Sequence, residues 1–72
     1  MDVKKFIGMC AERYREVIIR NRYGSIVAKG VVRDIIFDNE FSWSVIKDTS
    51  LILVANVDCF YFSNEKLNIT LK

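Results

Sequence analysis

The stretch VIIRNRYGSIVAKGVVRDIIFD, Val17 to Asp38, decides how the rest of the chain is read. Val17 to Tyr23 is rich in β-branched residues and alternates, with Ile19 and Tyr23 on one side and Arg20 and Arg22 on the other. Gly24-Ser25 then supplies a hairpin turn, so a strand over 17–23 pairs with one that starts at Ile26. The second segment, 26–38, is long for a strand. Gly30 in its middle permits the bulge or sharp bend by which a small sheet curls on itself.

Downstream, Asp38-Asn39-Glu40 turns the chain, and Phe41, Trp43 and Val45 share one face of a strand over 41–47. Asp48-Thr49-Ser50 turns it again. The next segment, 51–57, has no alternation and is read as a central strand buried on both sides. Two short strands, 59–63 and 67–71, are joined by Asn64-Glu65-Lys66, and in the last of them Leu67, Ile69 and Leu71 face inward. That last strand closes the sheet against the first or is left as an exposed edge.

Upstream, residues 2–16 place Val3, Phe6, Ile7, Cys10 and Tyr14 at helical spacings, with Lys4, Lys5, Glu12, Arg13 and Glu16 mainly elsewhere. Asp2 is a suitable N-cap, Met1 and Phe6 occupy the positions of a hydrophobic staple, and Arg13 and Arg15 suit the helix's negative end. Gly8 should cost up to about 1 kcal/mol relative to Ala unless close packing requires it.

With 72 residues the chain forms a single domain, 1–72. The expected class is α+β: an N-terminal amphipathic helix followed by five or six antiparallel strands in a small SH3-like or Sm-like barrel or a strongly curved sheet. Gly24, Gly30 and Asp34 fall near the places of the Sm family's first motif. The glycines are one residue too far apart, Asp34 follows Gly30 too closely, and Val54 to Phe62 holds no counterpart of the second motif. No RNA-binding residue is carried over from that family.

Composition excludes more than it assigns. The chain has no histidine, which removes the commonest general base, the commonest zinc ligand and the Ser-His and Cys-His nucleophile pairs. Gly8, Gly24 and Gly30 are isolated and build no phosphate loop. Asp34, Asp38 and Glu40 lie near one end of the second segment, where charged side chains are ordinarily solvated, so neither a metal nor a cofactor is expected. No enzyme activity and no small-molecule substrate follow. The longest apolar run, Leu51 to Ala55, is far below the roughly 18 residues of a membrane helix. The N-terminus does not read as a secretory signal, which makes the cytoplasm the expected location. Cys10 and Cys59 sit in apolar surroundings and are read as buried thiols.

Two binding surfaces remain. Three consecutive aromatics, Phe60-Tyr61-Phe62, cannot all point into one interior. Together with Leu67 and Ile69 on the terminal strand they mark a surface for a protein partner or for a second copy of the chain, acting through strand edges and exposed aromatics. The other surface is a basic strand face of Arg20, Arg22, Lys29 and Arg33, flanked by Tyr23, which has the cations and ring for single-stranded nucleic acid. With a net charge of +2, charge alone does not support it. The expected function is a self-associating protein-binding module, with nucleic-acid binding as the alternative.

Overall fold

A computed structural model describes residues 1–10, 12, 15–38, 41, 43–44 and 49–72, with backbone alone for Cys10, Phe37, Asp38, Trp43 and Ser44. The chain order is α1 (Val3–Cys10), β1 (Glu16–Arg20), β2 (Ile26–Val31), α2 (Val32–Asp38), β3 (Trp43–Ser44), α3 (Thr49–Leu53), β4 (Val57–Ser63) and β5 (Lys66–Leu71). The class is α+β. The strands form one mixed sheet in the order β3-β2-β1-β5-β4, in which β3 contributes only two residues.

Two hairpins lie side by side. In the first, β1 runs antiparallel to β2, with Val17 opposite Gly30 and Ile19 opposite Ala28. Its loop is closed by Gly24 N–H donating to Asn21 O at 3.0 Å, while Asn21 Oδ1 accepts from the Tyr23 and Ser25 amides. Gly24 takes φ 88°, a left-handed conformation that glycine adopts without a Cβ penalty. In the second, β4 runs antiparallel to β5 through a two-residue turn in which Asn64 and Glu65 both have positive φ, 52° and 63°, as a type I′ turn requires. The hairpins join through a parallel ladder, β1 to β5, that sets Val17 beside Leu67 and Ile19 beside Ile69.

These four side chains are fully buried and form the floor of the core. Val3 and Ile7 of α1, Val32 and Ile35 of α2, Phe41, and Ile52 and Leu53 of α3 complete it. All three helices therefore feed the core on one side of the sheet. The other side carries Glu16, Ile18 and Arg20 from β1, Lys29 from β2 and Asn68 from β5, because side chains alternate along a strand.

Several expectations are corrected. The sheet is mixed rather than all antiparallel, and no ladder joins β3 to β4 among the described residues, so it is an open sheet and not a barrel. The segment 26–38 is a strand only to Val31. Beyond it neither strand face is uniformly apolar, whereas a helix puts Val32, Ile35 and Ile36 on the core side and leaves Arg33 and Asp34 exposed. The segment 51–57 is not a central strand. Its start lies in α3, which buries Ile52 and Leu53 and exposes Leu51; Val54, just past the helix, is exposed, and Val57 opens β4.

The helix expected over 2–16 ends at Cys10, and Glu16 already pairs with Val31. Ala11, Arg13 and Tyr14 lie outside the described residues, as do Glu40 and most of the strand expected over 41–47, including Val45. Arg15 does not serve the helix end. Asp2 does cap α1 as expected, since its Oδ1 accepts the Lys5 amide at 2.8 Å. Among the described residues, no helix is long and apolar enough to cross a membrane.

The glycines separate by role. Gly30 sits in regular register opposite Val17, and the ladder's irregularity falls instead at Ile19/Arg20. A Cβ at Gly30 would meet the Ile35 side chain at 3.3 Å and the Phe41 backbone at 3.4 Å, so this position lets α2 and the following chain close onto the sheet. At Gly8 an added Cβ meets nothing within 4 Å. Gly8→Ala should therefore raise stability by up to about 1 kcal/mol in a urea titration. Gly30→Val should lower it by about 1 to 3 kcal/mol in the same assay. Destabilisation by Gly8→Ala would show that this helix position has a packing role.

Candidate functional site

The aromatic run stands on β4, and β4 is an outer strand of the sheet. Its register settles which way each ring points, because directly opposed residues share a face. Phe60 faces Ile69 and Phe62 faces Leu67, so both phenylalanines lie on the helix side of the sheet. Tyr61 faces Asn68 and lies on the other side. All three are half exposed, at 49%, 50% and 52% for Phe60, Tyr61 and Phe62. The helices cover the sheet's centre and reach the rim through Phe6, whose ring lies 4.6 Å from that of Phe60. Phe60 and Phe62 meet edge to face at 6.2 Å.

One end of this shelf is held by Arg15. Its Nη1 donates to Glu65 O at 2.8 Å, its guanidinium carbon stands 4.9 Å over the Phe62 ring, and it forms an ion pair with Glu12. Arg15 O also accepts the Val32 amide at 3.0 Å, so the segment after α1 is tied both to α2 and to the β4–β5 turn. Neither Arg15 nor Phe6 was singled out for this place. Phe6 belongs to the helix's apolar stripe, and only the position of α1 over the sheet shows that it flanks the core rather than entering it.

The backbone of β4 is as open as its side chains. Among the described residues it is bonded to β5 along one side, while Val57 N–H donates to Met1 O at 2.9 Å at the start of the strand. From Cys59 to Ser63 the strand has no charge and no proline, and its only irregularity falls earlier, between Val57 and Cys59. The devices that commonly prevent pairing with another strand, here Asp58 and the irregularity, lie at the start of β4 and not between Cys59 and Ser63.

The remaining candidates separate. Leu67 and Ile69 are fully buried, and β5 is bonded on both sides, so the terminal strand is not the free edge; that place passes to β4. Cys59 is exposed, not buried, and the thiol of Cys10 lies outside the described side chains. Asp34 is exposed on α2, the side chain of Asp38 is not among those described, and among the described residues no cluster could hold a metal ion.

The basic residues do not converge on one strand face. Arg20 and Lys29 share the side of the sheet away from the helices, but Arg20 Nη1 donates to Asn68 Oδ1 at 2.7 Å. Arg22 lies in the β1–β2 turn, stacked 4.9 Å over the Tyr23 ring with Nη2 donating to its hydroxyl at 2.6 Å. Arg33 rides on α2 and not on the strand beside β1. The side chain of Trp43 is not described, although its backbone pairs with Lys29. Comparison with protein-family profiles, with curated proteins and with solved structures gives no match in any of the three.

Asn68 is only 5% exposed, and its amide nitrogen donates to Lys66 O, so Arg20 supplies the hydrogen bond that its buried oxygen needs. Arg20→Ala should cost about 1 to 3 kcal/mol by leaving that oxygen unpaired. Arg20→Met combined with Asn68→Leu should recover most of this loss; a silent Arg20→Ala would remove its structural role. Phe62→Ala should cost about 1 kcal/mol, because half the ring is already in water, against roughly 3 to 5 kcal/mol for a buried phenylalanine. Chemical denaturation of the two variants measures both values.

Proposed function

We propose that this chain is a small non-enzymatic binding module that takes a protein partner on the β4 edge, through the strand's free backbone and the rings of Phe60, Tyr61 and Phe62. The observation that carries this reading is the coincidence of three features on one strand: it ends the sheet, it is uncharged from Cys59 to Ser63, and its aromatics are half exposed. An extended segment added there would satisfy the open backbone groups and cover the rings in one step, which is how sheet edges commonly receive peptides. Specificity would come from alternate side chains on the two faces, the phenylalanine shelf on one and Tyr61 on the other.

The basic residues support the competing nucleic-acid reading less well, because Arg20 is engaged by Asn68 and Arg33 has left the strand face. The two readings differ in their response to salt and to nuclease. Phosphate binding weakens steeply as salt rises, whereas an apolar edge contact is insensitive or strengthens. Immobilised wild-type protein should capture a protein from lysate equally with and without nuclease, and Tyr61→Lys should abolish that capture. An Arg22→Ala, Lys29→Ala double variant should leave it intact. Capture that disappears with nuclease, or binding of labelled single-stranded DNA or RNA at low salt, would replace this reading with the nucleic-acid one.

A further inference from the structure

We infer that the segment which fits the β4 edge is β4 of a second copy of this chain, paired antiparallel about a two-fold axis through Tyr61. The inference rests on the edge reading above and names its occupant. A two-fold axis perpendicular to a sheet pairs an edge strand with itself and keeps both helical layers on the same side. Residues on the same face must then meet, so Phe60 and Phe62 can be opposed only by residues of that face.

Three registers centred within the aromatic run satisfy this condition. Centring on Phe60 sets Asp58, at the strand's irregular end, against Phe62 and a ring against a carboxylate. Centring on Phe62 sets Phe60 against Asn64, in the turn, and shortens the ladder. Centring on Tyr61 sets Phe60 against Phe62 twice, Tyr61 against Tyr61, and Cys59 against Ser63. The two phenylalanine shelves then merge, and each is bounded by its own Phe6.

Charge is compatible with the same register. Asp58 lies at the start of β4 and Arg15 at the other end, bonded to Glu65 O beside the turn. Antiparallel pairing about Tyr61 brings the Asp58 of each copy opposite Asn64 of the other, so that its carboxylate faces neither a ring nor another carboxylate. No like charges are opposed between Cys59 and Ser63, because that span has none. Three half-exposed aromatics offer on the order of 300 Å² of side-chain surface per copy, which is small for a stable interface, so the pairing is weak and reversible.

Light scattering on a sizing column, from about 10 μM to about 1 mM protein, tests this directly. The wild type should move toward twice 8.4 kDa as concentration rises. Tyr61→Lys, with its far-UV circular dichroism unchanged, should stay at 8.4 kDa, since it places two cations in opposition at the axis. Mild oxidation should join copies of a Cys59→Ser, Tyr61→Cys variant through a bond that peptide mapping assigns to position 61 in both chains. A Cys59→Ser, Ser63→Cys variant should not form the equivalent bond, because position 63 faces 59. A wild type that remains at 8.4 kDa throughout, or bonds formed preferentially at position 63, would overturn the inference. A monomer whose capture of another protein still depends on Tyr61 overturns the self-pairing and leaves the edge reading standing. A dimer that survives Tyr61→Lys overturns the self-pairing and puts the contact between copies elsewhere on the chain.

Discussion

The parallel ladder between β1 and β5 is the contact on which the rest of the molecule depends. It joins two hairpins that are local in sequence, and it sets Val17 and Ile19 beside Leu67 and Ile69 at the centre of the core. Everything on the helix side is arranged around those four side chains. The ladder joins residues ~50 positions apart in the chain, Val17 with Leu67 and Ile19 with Ile69. Closing it costs more chain entropy than closing either hairpin. The same ladder decides which strand is left at the rim. With β1 and β5 in the middle, β4 has no neighbour on its far side among the described residues, and its aromatics become surface.

The two sides of the sheet divide the work. Three short helices, of 8, 7 and 5 residues, could not persist alone in water, and each is held by the apolar pair it places on the sheet. On the other side polar side chains cover the strands: Arg20 reaches across to Asn68, and Lys66 pairs with Glu16 at 3.5 Å. These contacts use basic residues that would otherwise be available to a ligand. The rim differs from both sides, since Phe6, Phe60 and Phe62 pack on one another without being closed off from solvent, with Arg15 bounding the group at one end.

The hairpins and the capped helix were legible because their signals are local. Asp2 as a cap, a hairpin turn at Gly24 and the alternation of Leu67, Asn68 and Ile69 each depend on residues within a few positions of one another, although the first strand ends at Arg20 and not at Tyr23, which lies in the turn. The aromatic run was legible for the same reason, since consecutive residues of a strand must face opposite sides. What failed was the choice of period where apolar residues fall at spacings that a strand and a helix both allow. Val32, Ile35 and Ile36 carry the helical spacing, but the long segment beginning at Ile26 disguised it. Leu51 to Val54 is too short a run for either period to declare itself.

The order of residue types by itself determined an α+β chain without imidazole chemistry, an amphipathic start, two antiparallel hairpins and an aromatic triplet that had to be partly outside. Only the tertiary structure decided that the hairpins meet through a parallel ladder, that β5 lies inside the sheet and that β4 bounds it. It also decided that Gly30 serves close approach rather than bending. These outcomes depend on contacts between residues far apart in the chain, which local periodicity does not encode. No local pattern distinguishes one strand order from another; the mutual fit of the helices on Val17, Ile19, Leu67 and Ile69 does.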